Sequence, residues 1–419
     1  MIGSLQENGW ELSKEAVGSD AVIINTCGFI NEAKQESIDT ILEAGEIKKT
    51  HPDMKLVVAG CLSQRYKSQL ERGLPEVDIF IGTDQFIKIA DYLKEHQKTT
   101  ISDTKRSSYI YNEHLPRTNT LSKQSAYVKI AEGCQHQCAF CIIPAIRGPL
   151  RSRPIKSVVK EVVKLASDGV VEINLIAQDL AAYGREKGAD ELLPLLRELV
   201  KIDDIKIIRL LYMYPENITD EFIQFMKSEP KLAKYLDIPI QHASDKILYA
   251  MKRGVNRQFL ESVLLKLRLN IPDIAIRTSV MVGFPGETDQ DFSELLDFVE
   301  KMKFDHLGCF SYSKEEGTVA GRMSAQVDEE IKSERQKAIM LKQKEISKET
   351  LEKYVGRTLD VLVEGLSSET DLLLQGRTQW QAPDVDGLVY INDGDAVVGK
   401  IQKVMIEKSH DYDLVGRIV

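Results

Sequence analysis

The chain has 419 residues, 43% hydrophobic and 28% charged, with a formal net charge of −9. That length and apolar content support two or three packed domains, while the acidic balance gives no global support for nucleic-acid binding, which favours a basic face. No run of about 18 apolar residues occurs and the first residues, Met1-Ile-Gly-Ser-Leu-Gln-Glu-Asn8, lack the pattern of a signal peptide, so a cytoplasmic protein with no membrane association is expected.

Residues 1–97 alternate helix-like and strand-like segments, with strands at 20–26, 54–60 and 77–82 and an amphipathic helix at 32–49. Strands that are almost continuously apolar and separated by helices predict a parallel, doubly wound sheet. Cys27 and Cys61 fall where two of these strands end. Ligands collect at the carboxyl edge of such sheets, so the two cysteines can face one site; two buried free thiols are the rival reading. Residues 98–124 are polar, with Thr and Ser and no sustained periodicity, and read as a linker.

Between 125 and 327, six apolar strands (127–130, 171–176, 205–213, 235–240, 274–282 and 306–311) alternate with helical segments, which predicts a partial parallel (βα)6 barrel. Residues 328–355 form a charged connector helix with a one-sided apolar stripe. From 356 to 419, short alternating strands broken by Gly, Asp and Ser predict a small antiparallel β-barrel of OB type.

Directly after the first strand of the central segment, Cys134, Cys138 and Cys141 stand at C-x3-C-x2-C spacing. In a reducing compartment the six cysteines are expected to be ligands or core residues rather than disulfides. An iron–sulfur cubane with three protein thiolates keeps one iron free for chemistry. Structural zinc normally takes four Cys/His ligands and there is no second C-x2-C, although His136 offers a strained fourth ligand. Spacing favours a cluster and leaves zinc and an unmetallated loop open.

The cysteine spacing, with Phe140 before the last cysteine, resembles the radical S-adenosylmethionine (SAM) superfamily. The segment Cys141-Ile-Ile-Pro-Ala-Ile-Arg-Gly-Pro-Leu-Arg-Ser-Arg-Pro154, together with Asn25-Thr-Cys-Gly-Phe-Ile30, Ala59-Gly-Cys-Leu62 and a terminal barrel like the TRAM domain, resembles the methylthiotransferases over essentially the whole chain. Leu236-Asp-Ile-Pro-Ile-Gln-His-Ala-Ser-Asp245, Tyr312-Ser-Lys-Glu-Glu-Gly-Thr318, Gly376-Arg-Thr-Gln-Trp-Gln-Ala-Pro383 and Asp411-Tyr-Asp-Leu-Val-Gly416 are similar to the RimO type, which methylthiolates the β-carbon of an aspartate in a small-subunit ribosomal protein.

That resemblance implies two 4Fe-4S clusters and SAM as cofactors. Cys134, Cys138 and Cys141 would hold the cluster that binds SAM and reduces it to a 5′-deoxyadenosyl radical able to take hydrogen from an unactivated C–H bond. Cys27 and Cys61 would belong to the second cluster, which presents sulfur to the substrate; its third cysteine is expected in a Cys-Pro-Lys-Asn-like segment upstream, so this chain is expected to start at an internal methionine and to lack the first strand. A sulfur donor and an electron donor such as a flavodoxin are implied partners.

Further site residues follow from chemistry at strand ends. Gly283, Gly286 and Glu287 of Gly283-Phe-Pro-Gly-Glu-Thr288 open a helix after the fifth strand, where the backbone can approach SAM; a tight structural turn explains them equally. Gln178 is a second candidate cofactor contact, beside Phe140. Arg147, Arg151 and Arg153 can grip the carboxylate of SAM or of the substrate aspartate, against a merely solvated basic loop as the rival; Asp237 and Gln241 are further substrate contacts, and for these two and Gln178 buried structural hydrogen bonding is the rival. His242 and Cys309 read as structural and core residues.

The rival within the family modifies a tRNA adenosine (MiaB type), and an iron–sulfur carrier or sensor is a more distant alternative. Residues 356–419 carry six Lys/Arg against eleven Asp/Glu, a net of −5. Phosphate neutralisation needs cations, so tRNA is disfavoured and a basic ribosomal protein is the better partner.

Overall fold

The computed structural model describes residues 1–94, 99–101, 107, 109–120, 122–367, 369–370 and 372–419. The chain divides into two compact units: Met1–Thr118 with Glu132–Arg151 and Ser313–Arg322, and Asn119–Ala131 with Ser152–Tyr312 and Met323–Val419. Residues 98, 102–106, 108 and 121 of the segment read as a linker lie outside the described residues.

In the first unit, strands β1 (Ala21–Thr26), β2 (Lys55–Gly60), β3 (Ile79–Ile81) and β4 (Thr99–Ile101) form a parallel sheet in sequential order. The fourth strand falls inside the segment expected to be linker. Side chains alternate across a strand. Leu56 and Val58 therefore face one way, packing with Ile41 and Ala44 of α2 (Asn31–Thr50) and Leu62 and Leu70 of α3 (Cys61–Gly73). Val57 and Ala59 face the other way, onto Leu5 of α1 (Ile2–Glu7) and Ile89 and Leu93 of α4 (Ile89–Lys94). Helices thus cover both faces, as the continuous apolar runs require.

The second unit holds six parallel strands in sequential order: β5 (Ser125–Lys129), β6 (Glu172–Ile176), β7 (Ile207–Leu210), β8 (Leu232–Asp237), β9 (Ala275–Val282) and β10 (His306–Ser311). Parallel strands in sequential order, with the right-handed crossovers general to such units, place their helices on one side, the arrangement of a partial barrel. The helix Asp289–Met302 begins with a capping box between Thr288 and Asp291. The long helix Glu329–Glu352 leads into a closed barrel of β11 (Thr358–Leu366), β12 (Leu374–Arg377), β13 (Val389–Ile391), β14 (Ile401–Ser409) and β15 (Leu414–Ile418). An all-antiparallel barrel was expected; among the described residues β13 and β15 pair in parallel and the other pairs are antiparallel. No helix among the described residues is long and apolar enough to cross a membrane.

Candidate functional site

Register brings the first two cysteines together. Thr26 and Gly60 are partners on β1 and β2, and the next residue of each strand is cysteine. Thr26 Oγ1 donates to the Ala59 carbonyl at 2.8 Å. A Cβ on Gly60, whose φ is +114°, would lie 2.7 Å from the Thr26 carbonyl oxygen, and one on Gly28 would lie 2.9 Å from the Cys61 carbonyl. Both glycines are therefore needed for the two strand ends to close up. Cys61 opens α3, where the helix dipole favours a thiolate. Burial pushes its thiol pKa up, and the neighbouring Arg147 guanidinium pulls the other way. Cys27 is exposed, and its N–H donates to Ser37 Oγ at 3.2 Å.

The loop with the other three cysteines belongs to the same unit. Residues 134–141 contain neither helix nor strand. The base of the loop is fixed by Cys134 N–H donating to the Gly148 carbonyl at 3.2 Å, and the tip by Cys141 N–H donating to the Cys138 carbonyl at 3.1 Å. Gly133 (φ +80°) allows the crossing, since a Cβ there would sit 2.1 Å from the Pro149 carbonyl oxygen. His136 donates through its backbone N–H, at 3.4 Å, to Cys134 Sγ, the kind of bond a metal-bound thiolate accepts. Three half-exposed thiols on one short loop suit the soft donor set of an iron–sulfur cluster. Among the described residues, no group of three or more His, Cys, Asp or Glu is already converged on one point.

Two charged contacts join the backbone around the two cysteine sets. Arg147, at the end of helix α5 (Ile143–Arg147), donates from Nη2 to Cys61 Sγ at 3.2 Å, with Nη1 3.7 Å from the buried Glu132 carboxylate. Glu315, buried in the segment Ser313–Arg322, pairs with Lys34 at 2.9 Å and Arg65 at 2.6 Å. Arg65 also donates to the Gly28 carbonyl, next to Cys27, and the Ala320 N–H donates to the Ala139 carbonyl between Cys138 and Cys141. Lys34, Arg65, Glu132 and Glu315 escaped sequence reasoning. Only the motif at 312–318 pointed towards Glu315, and it gave no partner.

The side chains of several candidate contacts are engaged within the protein. Arg153 is fully buried and donates to Glu161 at 2.5 Å, to Ser157 Oγ and to the Lys129 carbonyl, which makes it a structural anchor. Arg151 spends its fork on the carbonyls of Tyr109, Arg147 and Pro149 and so pins the loop. Glu287 accepts the Gly283 and Phe284 N–H groups and pairs with Arg335 at 2.8 Å, so its carboxylate holds the turn. Asp237 is buried, accepts the Tyr212 N–H and pairs with Arg277 at 3.3 Å; burial raises its pKa, with Arg277 opposing. His242 accepts the Ser244 N–H inside the core, and Cys309 is buried, its thiol pushed up to about 12 by burial and then by Glu287.

Gly283 (φ +73°) leaves room for Lys332: a Cβ would lie 2.2 Å from Lys332 Cγ. That lysine is buried and donates to the Tyr312 carbonyl at 3.0 Å. Gly283→Ala is expected to destabilise the protein by about 2–4 kcal/mol through overpacking and left-handed strain, read from the urea midpoint; an unchanged midpoint would refute this. Gly286 (φ +84°) faces open space at its Cα. Phe140, Gln178 and Gln241 are half-buried. Gln241 (φ +70°) and Tyr212 (φ +63°), just beyond the ends of β8 and β7, adopt a backbone that side-chain-bearing residues rarely take, strain of a sort that gathers at functional sites.

Comparison with known proteins gives three family matches: the Radical SAM superfamily over residues 128–299, the uncharacterized protein family UPF0004 over 1–82 and the TRAM domain over 355–419. The chain is 50% identical to the ribosomal protein uS12 methylthiotransferase RimO of Citrifermentans bemidjiense, covering 100% of this chain and 94% of that protein. It is 49% identical to the protein of that name from Myxococcus xanthus, over 100% of this chain and 88% of the relative. Among solved structures, the radical S-adenosylmethionine methyltransferase TsrM from Kitasatospora setae shares the fold, with a TM-score of 0.52 at 15% identity over 72% of this chain and 63% of that one.

Proposed function

Since the chain belongs to the RimO methylthiotransferases of the radical SAM superfamily, a group of transferases, we propose that it methylthiolates the β-carbon of an aspartate in the small-subunit ribosomal protein uS12. The observation that carries this reading is the gathering of both cysteine sets in one compact unit, with Arg147 running from the cysteine loop to Cys61. Cys134, Cys138 and Cys141 hold the 4Fe-4S cluster that binds SAM. Cys27 and Cys61 hold a second cluster, and two SAM molecules serve one turnover. The clusters and SAM supply one-electron chemistry strong enough to open a C–H bond that no side-chain base can deprotonate.

The chain's own residues position and shield. Arg151 and the Gly133 crossing fix the loop, while Glu315 with Arg65 and Lys34 fixes the turn after Cys27. Phe140, Gln178, Gly286 and Gln241 remain the candidate contacts to SAM and substrate. A sulfur donor and a one-electron donor such as a flavodoxin complete the reaction. The acidic barrel of residues 356–419 favours a basic protein partner over tRNA.

Mass spectrometry of uS12 and tRNA from cells with and without the gene tests the reading. The expected result is loss of a methylthio group from one aspartate of uS12; loss from a tRNA adenosine instead would overturn it.

A further inference from the structure

The helix bearing Arg147 starts two residues after Cys141, so its guanidinium is tied to the cysteine loop by its own backbone. The guanidinium nevertheless reaches the other cysteine set, donating to Cys61 Sγ at 3.2 Å across 86 residues of sequence. Its counter-charge is Glu132, 3.7 Å away, with the two side chains only 27% and 6% exposed. A charge so placed acts through a lower dielectric than water and counts for more. An N–H donor and an adjacent cation on a ligand sulfur favour the reduced, more negative form of an iron–sulfur cluster.

We propose that Arg147 is a positioning residue for the second cluster: it holds the Cys61 sulfur towards the cysteine loop and raises that cluster's reduction potential, while Glu132 limits the effect. This rests on the reading that Cys27 and Cys61 ligate a cluster. It adds to that reading a link by which one side chain answers to the geometry of both cysteine sets.

The test uses the protein with the third cysteine that the resemblance implies in place and with Cys134, Cys138 and Cys141 changed to alanine, reconstituted anaerobically with iron and sulfide so that only the site of Cys27, Cys61 and that third cysteine is loaded. Iron content and the midpoint potential from an EPR-monitored titration are compared for this parent and for added Arg147→Met, Arg147→Lys and Glu132→Gln. Arg147→Met is expected to keep its iron and make one-electron reduction at least tenfold less favourable, a midpoint about 59 mV more negative. Arg147→Lys should restore part of the shift, and Glu132→Gln should move the midpoint the opposite way. Iron lost with methionine but retained with lysine also supports the positioning role; iron lost with both overturns it. Unchanged midpoints with iron retained overturn the inference alone. A parent that binds no iron overturns the second-cluster reading and the inference with it.

Discussion

Glu172→Ala is expected to cost about 3–5 kcal/mol of stability, the usual effect of breaking a buried ion network from one side. Glu172 stands at the start of β6 with no exposure. Its carboxylate receives Arg377 Nη2 at 2.6 Å, Arg209 Nη2 at 2.9 Å and Ser125 Oγ at 2.8 Å. Arg377 comes from the barrel strand β12, so this one carboxylate joins the parallel sheet to the barrel within the second unit. Its loss leaves two buried guanidinium groups short of their shared carboxylate, with Glu364, at 2.5 Å from Arg377, the one carboxylate partner left to them among the described residues.

The same network sets an acid limit. Burial alone would raise the Glu172 pKa, but Arg377 and Arg209 outweigh it and bring it down to about 2, below the ordinary 4.5. A depressed carboxyl stabilises the fold above its unfolded pKa, and this stabilisation is lost as pH falls from about 4.5 towards about 2. Urea midpoints of wild type and Glu172→Gln should therefore differ most at neutral pH and converge across that window. A constant difference from pH 7 to pH 2.5 would refute the assignment.

Cys138→Ala is expected to abolish reductive cleavage of SAM, with 5′-deoxyadenosine below detection after anaerobic reconstitution. A radical SAM cluster needs three protein thiolates to leave one iron open, and Cys138 is the middle one of three on a loop that has no helix or strand to hold a substitute. Cys309→Ala is the matched control, because that thiol is buried in β10 and its pKa is pushed far above neutral pH. It should keep its iron and its SAM cleavage. Substantial 5′-deoxyadenosine from the Cys138 variant, or its loss from the Cys309 variant, would refute the ligand assignment.

The strands, and the cysteines at their ends, were legible because hydrophobic alternation and spacing are local properties. Thus 306–311 was placed to the residue, and Cys27 and Cys61 were read as neighbours from strand ends alone. Charged partners were not legible, because what a long side chain reaches depends on chain folded back from far away. Arg153 and Arg147 share one motif and look equivalent in sequence, yet the first is consumed by the helix beginning at Ile155 and the second reaches Cys61. Glu287 and Gly283 read as a cofactor turn because glycine and acid at a helix start are what such turns contain; their contacts with Arg335 and Lys332, from a helix more than forty residues later, were not legible. The parallel pairing of β15 with β13 was not legible for a related reason, since strand direction in a barrel is set by chain that returns from elsewhere.

The return of Ser313–Arg322 to the first unit imposes an order on biosynthesis. The ion pairs of Glu315 cannot form until that stretch has left the ribosome, roughly 170 residues after Arg151. At the usual pace of translation this is a delay on the order of 10–30 s. For that interval the nascent chain displays all five candidate ligand cysteines without the segment that later seals the backbone beside them. Metal loading before synthesis passes Arg322 would meet an unfinished cradle, so iron delivery to this protein is expected to be a post-translational event.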